Sequence, residues 1–205
     1  MPKGSPELTQ ARREEIIAAC EELYRTMGFK EITIEKIGAV TSFGRTSIYN
    51  YFQTKEEIFL AILQREYEAW IDTLDEIGKT EKVTRAELAR AIARSLERRE
   101  LMLKILSMNH FDMEKNSSME ALVAFKKAYG ESIRAVSRLL EAFCPEMSAE
   151  RRQRFLYAFF PFIYGIYPYA AVTEKQRQAM EQAGTGYVYH SVYELSLGFL
   201  EMLLG

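Results

Sequence analysis

Little in these 205 residues can serve redox or metal chemistry: there are two cysteines, two histidines and one tryptophan. Cys20 and Cys144 form no CxxC pair. They lie far from His110 and His190 in sequence, so neither a disulfide framework nor a zinc-ligand spacing can be assembled. No metal and no cofactor is expected. Free thiols suit a reducing compartment, and Met1-Pro2-Lys3-Gly4-Ser5 lacks the basic-then-apolar layout of a signal peptide, so a cytoplasmic protein is expected. Proline (5) and glycine (11) are scarce and alternating β-branched runs are missing, which leaves little from which to build a sheet. Leu, Ala, Glu, Lys, Arg and Met dominate, the residues that lose least rotamer freedom in a helix. The net charge of −2 excludes indiscriminate nucleic-acid binding, because phosphate affinity comes from clustered Lys and Arg. Any such contact must be local.

Enzyme signatures are missing too. No Walker loop, nucleophile elbow or HExxH occurs, and Gly184-Thr185-Gly186 has Tyr189 where a dinucleotide fingerprint needs its third glycine. Glu14-Glu15 and Glu21-Glu22 read as solvated helix faces. The chain is expected not to be an enzyme. One long uncharged run exists, Phe155 to Val172, and its eighteen residues reach the length of a membrane helix. Tyr157, Tyr164, Tyr167 and Tyr169 are spread through it instead of belting its ends, Pro161 and Pro168 interrupt it, and no positive flank orients it. It reads instead as a helix buried on every side, partly against a second subunit.

What is present is a series of helix starts. Thr54/Glu57, Thr84/Glu87, Ser117/Glu120 and Thr173/Gln176 have the spacing of capping boxes, and Ser5 before Pro6 and Thr33 before Ile34 are simpler caps. Helical spacing of apolar residues predicts Ser5–Met27, Thr33–Val40, Arg45–Tyr51 and Lys55–Ile77. Further helices are expected near 84–97, 98–109, 117–143, 148–171, 174–183 and 188–204. Nine or ten helices and no strands make an all-α protein. The four residues Thr41-Ser42-Phe43-Gly44 between two short helices give helix-turn-helix spacing. A three-helix helix-turn-helix domain over residues 1–54, of the kind that binds DNA, and a larger helical domain over 55–205 are therefore expected.

In the third helix Ile48 and Phe52 stand at i and i+4 and must face inward, which turns Thr46, Ser47 and Asn50 outward. Arg45 stands at the end that would reach a groove, with Tyr49 and Tyr51 on the flanks near backbone phosphates. From Thr41 to Lys55 there is no acidic residue, so the strip is locally positive despite the global charge. Thr33 and Lys55, at the starts of the helices on either side, complete the expected DNA-binding set, and Lys55 opens a helix whose amides can hold a phosphate oxygen.

Thr33-Ile34-Glu35-Lys36-Ile37-Gly38 through Phe43, then Arg45-Thr46-Ser47-Ile48-Tyr49-Asn50-Tyr51-Phe52 and Lys55-Glu56-Glu57-Ile58-Phe59, resembles the N-terminal domain of the TetR (tetracycline-repressor) family over about residues 9 to 63. The resemblance implies that the helix Arg45 to Tyr51 enters the major groove and that Lys55 touches phosphate. The turn departs from the family's usual Ala-Gly-Val-Ser. Ser42 stands in place of a glycine that tolerates left-handed backbone and is expected to strain or reshape the turn. Gly38 stands where Ala is usual, and Thr46 where Gly is common.

Beyond residue 55, aromatic and methionine residues cluster more densely than a single helix stripe requires. Tyr67, Trp70 and Leu74 fall on one predicted helix, Met102, Met108 and Phe111 around the next, and Phe125, Tyr129, Phe159, Phe162 and Tyr167 follow. Adaptable apolar walls with few polar groups suit a ligand pocket, with Asn109, His110 and the tyrosine hydroxyls as polar handles. The resemblance implies a small-molecule effector there and a homodimer through the last two long helices, to which Val188, Val192, Leu195, Phe199, Met202 and Leu203 would contribute. The function expected is a ligand-responsive regulator that binds double-stranded operator DNA, a repressor released by a small apolar or aromatic molecule, with no membrane partner. The alternative is a helical small-molecule sensor whose DNA-binding domain is degenerate, as the acidic balance and altered turn suggest.

Overall fold

The computed structural model describes residues 5–108 and 110–205, the side chain of His110 excepted. Among the described residues there are twelve helices and no strand. In order these are α1 (Pro6–Thr26), α2 (Ile34–Ala39), α3 (Arg45–Ile48), α4 (Lys55–Gly78), α5 (Arg85–Glu97), α6 (Glu100–Leu106), α7 (His110–Lys115), α8 (Met119–Phe143), α9 (Ala149–Gly165), α10 (Tyr167–Ala170), α11 (Glu174–Gln182) and α12 (Val192–Leu204). None among the described residues is long and apolar enough to cross a membrane.

The chain divides into two compact units. The first comprises Met1–Arg65 and Asn109–Ala128, the second Glu66–Met108 and Tyr129–Gly205. A boundary at 54/55 would fall at the start of α4, whereas this division falls within α4 and again within α8, and α7 joins the first unit.

Capping explains most boundaries. Ser5 accepts the Leu8 amide, Thr33 the Lys36 amide and Thr173 the Gln176 amide, and Thr84 with Glu87 closes a full box. Four expectations shift. The helix expected at 148–171 ends at Gly165, because Pro168 has no N–H for the carbonyl of Tyr164, and α10 restarts at Tyr167 with Pro168 in its first turn. The one expected at 188–204 begins at Val192, where Ser191 and Glu194 form a capping box. The preceding stretch holds Gly184 and Gly186 at φ +61°, the left-handed region that glycine tolerates. Ser118, one residue later than expected, accepts the Ala121 amide at the start of α8, while the Ser117 hydroxyl donates to the Met113 carbonyl of α7, a helix that falls between the expected 98–109 and 117–143. Finally α3 is four residues long, and Asn50 and Tyr51 follow it in a turn.

In the first unit Ile16, Cys20, Tyr24, Ile37, Ile48, Phe52 and Phe59 form the core. In the second, α5 packs along α12, and α6 meets α9 and α10. Trp70, the largest buried side chain, donates its indole N–H to the Ser95 hydroxyl at 2.9 Å, which in turn donates to the Ile92 carbonyl at 2.7 Å.

Candidate DNA-reading surface and ligand cluster

With four residues and no side-chain cap at Gly44, α3 cannot hold its own orientation. Three side chains of α1 do so. Ahead of α3, Glu15 accepts from both the amide and the hydroxyl of Ser42, the latter at 2.9 Å. Behind it, Arg13 donates to the Tyr51 carbonyl at 3.0 Å and lies 4.4 Å from the centroid of the Phe52 ring. Arg12 donates to the Tyr51 hydroxyl at 3.3 Å and sits 5.5 Å from the Phe43 centroid. Glu15 therefore does not belong to a solvated charge run. The strain expected at Ser42 does not arise either, since no described non-glycine residue has positive φ and the Glu15 carboxylate satisfies the turn. Gly38 has a steric reason: a Cβ there would stand 2.8 Å from the Arg45 nitrogen and 2.9 Å from its Cα, so α2 and α3 approach through the missing side chain.

The expected reading face stands outward. Arg45, Thr46 and Asn50 are exposed, Ser47 is half-buried, and Tyr49 is 40% exposed with the Arg45 guanidinium 6.0 Å from its ring centroid. Ile48 and Phe52 are buried beneath. Thr33 is exposed and spends its hydroxyl on the α2 cap. Lys55 has an intramolecular duty: its ammonium donates to the carbonyls of Phe29 at 2.7 Å and Ile32 at 3.0 Å and lies 4.2 Å from the Phe29 centroid, closing the loop between α1 and α2.

Within the second unit Tyr67, Trp70, Tyr129 and Phe159 come together, joined by Phe160 and Tyr164. Tyr67 meets Tyr129 edge-on at 5.8 Å, and Tyr129 meets Phe160 at 5.5 Å. Burial first, and then the neighbouring phenols of Tyr164 and Tyr129, push the Tyr67 phenol well above its ordinary range, so it stays a neutral hydroxyl. Leu74 and Met102 are buried in the same unit, and Met108 is half-buried. Phe162 stands elsewhere, stacked on Phe199 at 4.0 Å and 13°. Tyr167 donates to Glu100 at 3.4 Å. Phe111, 83% exposed, and Phe125, buried, belong to the first unit, so the structure does not gather them into this cluster. Asn109 and the side chain of His110 lie outside the described residues.

Residues 16–62 match the model of bacterial regulatory proteins of the tetR family, and residues 64–190 match that of the tetracyclin repressor-like C-terminal domain. The chain belongs to the TetR family. Its class is that of a DNA-binding transcriptional regulator, not an enzyme. The TetR fold is shared with a regulator of the TetR/AcrR family from Thermobifida fusca, 19% identical with a TM-score of 0.63 over 95% of this chain and 97% of that one. It is shared also with the transcriptional regulator FadR from Bacillus subtilis, crystallised with stearoyl-CoA, 18% identical with a TM-score of 0.61 over 94% and 97%. In sequence, the uncharacterized HTH-type transcriptional regulator YfiR of Bacillus subtilis is 27% identical over 82 residues, which span 40% of this chain and only 40% of that protein.

Arg12, Arg13 and Glu15 were not legible as partners of the turn, because 27 to 39 residues separate them from it. Phe160 and Tyr164 were within reach, since they stand at i and i+4 beside Phe159 on a predicted helix.

Proposed function

We propose that this TetR-family regulator is a cytoplasmic repressor that reads operator DNA through Arg45, Thr46, Ser47, Tyr49 and Asn50, and is released by a small apolar or aromatic molecule at the cluster around Tyr67, Trp70, Tyr129, Phe159 and Phe160. One observation carries the reading. The exposed, acid-free face of α3 is fixed at both ends by Glu15, Arg12 and Arg13, so the altered turn is a braced element. That favours a working DNA reader over a sensor with a degenerate one. The neutral, aromatic character of the second cluster supports an uncharged effector group, and the stearoyl-CoA complex of the Bacillus subtilis FadR supports an apolar one.

A homodimer is proposed through α9 and α12, where Tyr157 and Met202 are 73% and 74% exposed and Phe162 of α9 stacks on Phe199 of α12. Two copies present two α3 helices to a pseudo-palindrome with half-sites about one helical turn apart, or a multiple of it. The ligand acts only through its unequal affinity for the DNA-bound and free states, so DNA must weaken the ligand by the same factor. A mobility-shift assay on genomic fragments at rising salt tests the reading: sequence-dependent shifts that weaken with salt support it, and an unshifted library refutes it. Sedimentation should give twice the 23.7 kDa chain.

A further inference from the structure

Among the described residues one charged side chain is buried, Glu57 at 5% exposure, and it forms no ion pair. A buried carboxylate is costly unless hydrogen bonds replace its water. Two backbone amides do so here. The Gln53 amide, directly after the turn that follows α3, donates to Oε2 at 2.7 Å, and the Ser118 amide, at the start of α8, donates to Oε1 at 2.9 Å. Beside this the Thr54 hydroxyl donates to the Asn116 carbonyl at 2.8 Å. Arg13, which grips the Tyr51 carbonyl, lines the same cleft of about 230 Å³ as Glu57 and Ser118. The exit of α3 is thus held by a cation from α1 and an anion from α4, and the anion also holds α8.

The choice of a carboxylate follows from the donors. The Gln53 and Ser118 amides, like the Ser118 hydroxyl beside them, can only donate to it, and a glutamine would offer one acceptor oxygen and turn its own N–H donors toward the second amide. Only the charged form satisfies both. Helix α8 continues from this clasp to Tyr129, ten residues beyond Met119 and a member of the aromatic cluster.

We propose that Glu57 is a positioning residue that couples α8 to the DNA-reading segment: a displacement of the first turn of α8 moves the Gln53 amide, and DNA bound at α3 moves α8 in return. The inference rests on the regulatory reading above and names its route as α8 as well as α4.

Amide hydrogen exchange of the full-length protein tests it, with and without a duplex selected from a random library by the wild-type protein. Without DNA, Glu57→Gln should speed exchange at Gln53 and Ser118 together by about tenfold or more. With DNA, wild type should slow exchange both around α3 and over residues 119–129, while Glu57→Gln keeps the first effect and loses the second, which a merely structural lesion would not separate. Thr54→Val, which removes the parallel bond together with the cap that the Thr54 hydroxyl gives the Glu57 amide, should weaken the α8 response in the same direction and carries the test if the glutamine variant does not fold. Unchanged exchange at Gln53 and Ser118 overturns the clasp, and an intact α8 response in Glu57→Gln overturns the coupling. A wild-type protein that selects no DNA refutes the regulatory reading instead, and the DNA-free arm still decides the clasp.

Discussion

The two units hold their shape by different means. In the first, charged side chains reach main-chain groups across long sequence separations: Glu15 to Ser42, Arg13 to Tyr51, Lys55 to Phe29 and Ile32, Glu57 to Ser118. The second unit has such tethers too, Arg99 to the Ala69 carbonyl and Arg85 to the Leu204 carbonyl, but around Trp70 rings meet rings, and the titratable groups among them are phenols kept neutral by burial. Polar tethers fix orientation at modest net energy, whereas ring packing supplies stability but little direction. On the proposed reading, a surface that presents a four-residue helix to DNA needs the first kind, and a cluster that yields to a ligand suits the second.

If that contrast is sound, Trp70→Ala should have the largest effect on stability. Removing a fully buried indole should cost about 3 to 5 kcal/mol by denaturant titration. A loss under about 1 kcal/mol would mean that the cluster is loosely packed.

Next comes Lys55→Met, which keeps the stem but strips two carbonyls of a charged donor and should cost about 1.5 to 3 kcal/mol without any DNA. An unchanged stability with weaker DNA binding would return Lys55 to the purely phosphate-contacting role that the resemblance implies. Gly38→Ala should cost about 1 to 3 kcal/mol, because the added methyl meets the backbone of Arg45. Its stability relative to wild type, measured by the same titration, checks this.

The two units should also part company in pH. Burial raises the Glu57 carboxyl, but hydrogen bonds from the Ser118 side chain and from the amides of Gln53, Ser118 and Thr54 outweigh it, and the net shift is downward. A lowered carboxyl contributes stability that is present above its unfolded value and lost as pH falls through its folded one. The raised phenol of Tyr67 does the reverse: its contribution is present below the ordinary tyrosine value near 10 and lost as pH rises through the higher folded value. Acid should therefore loosen the first unit while Trp70 fluorescence holds, and alkali should disturb Trp70 first. Coincident transitions at both ends would remove the distinction.

These assignments show what one sequence discloses. Capping residues and helical spacing exposed nearly every helix, because both signals are local. The breaks at Pro168 and Ser191 were visible in principle but were overridden by an apolar pattern that continued through them. Contacts such as Glu15 with Ser42 had no local signature, and Glu15 looked like any glutamate on a charged helix face. The outward face of α3 was legible because Ile48 and Phe52 fixed its inward side. The aromatic cluster proposed to bind the ligand was legible only as a composition, so Phe111 and Phe125 were included although the structure sets them in the other unit.

The smallest effect on stability and the most direct test of function fall on one surface. Arg45 is exposed, so Arg45→Ala should change unfolding by less than about 0.5 kcal/mol. The decisive measurement is selection from a random duplex library by the wild type and by this variant. Wild type should enrich a pseudo-palindrome, and Arg45→Ala should bind it at a cost of about 1 to 3 kcal/mol and enrich a different base at the contacted position. Identical enriched sequences and affinities for the two proteins would contradict the claim that α3 reads the operator.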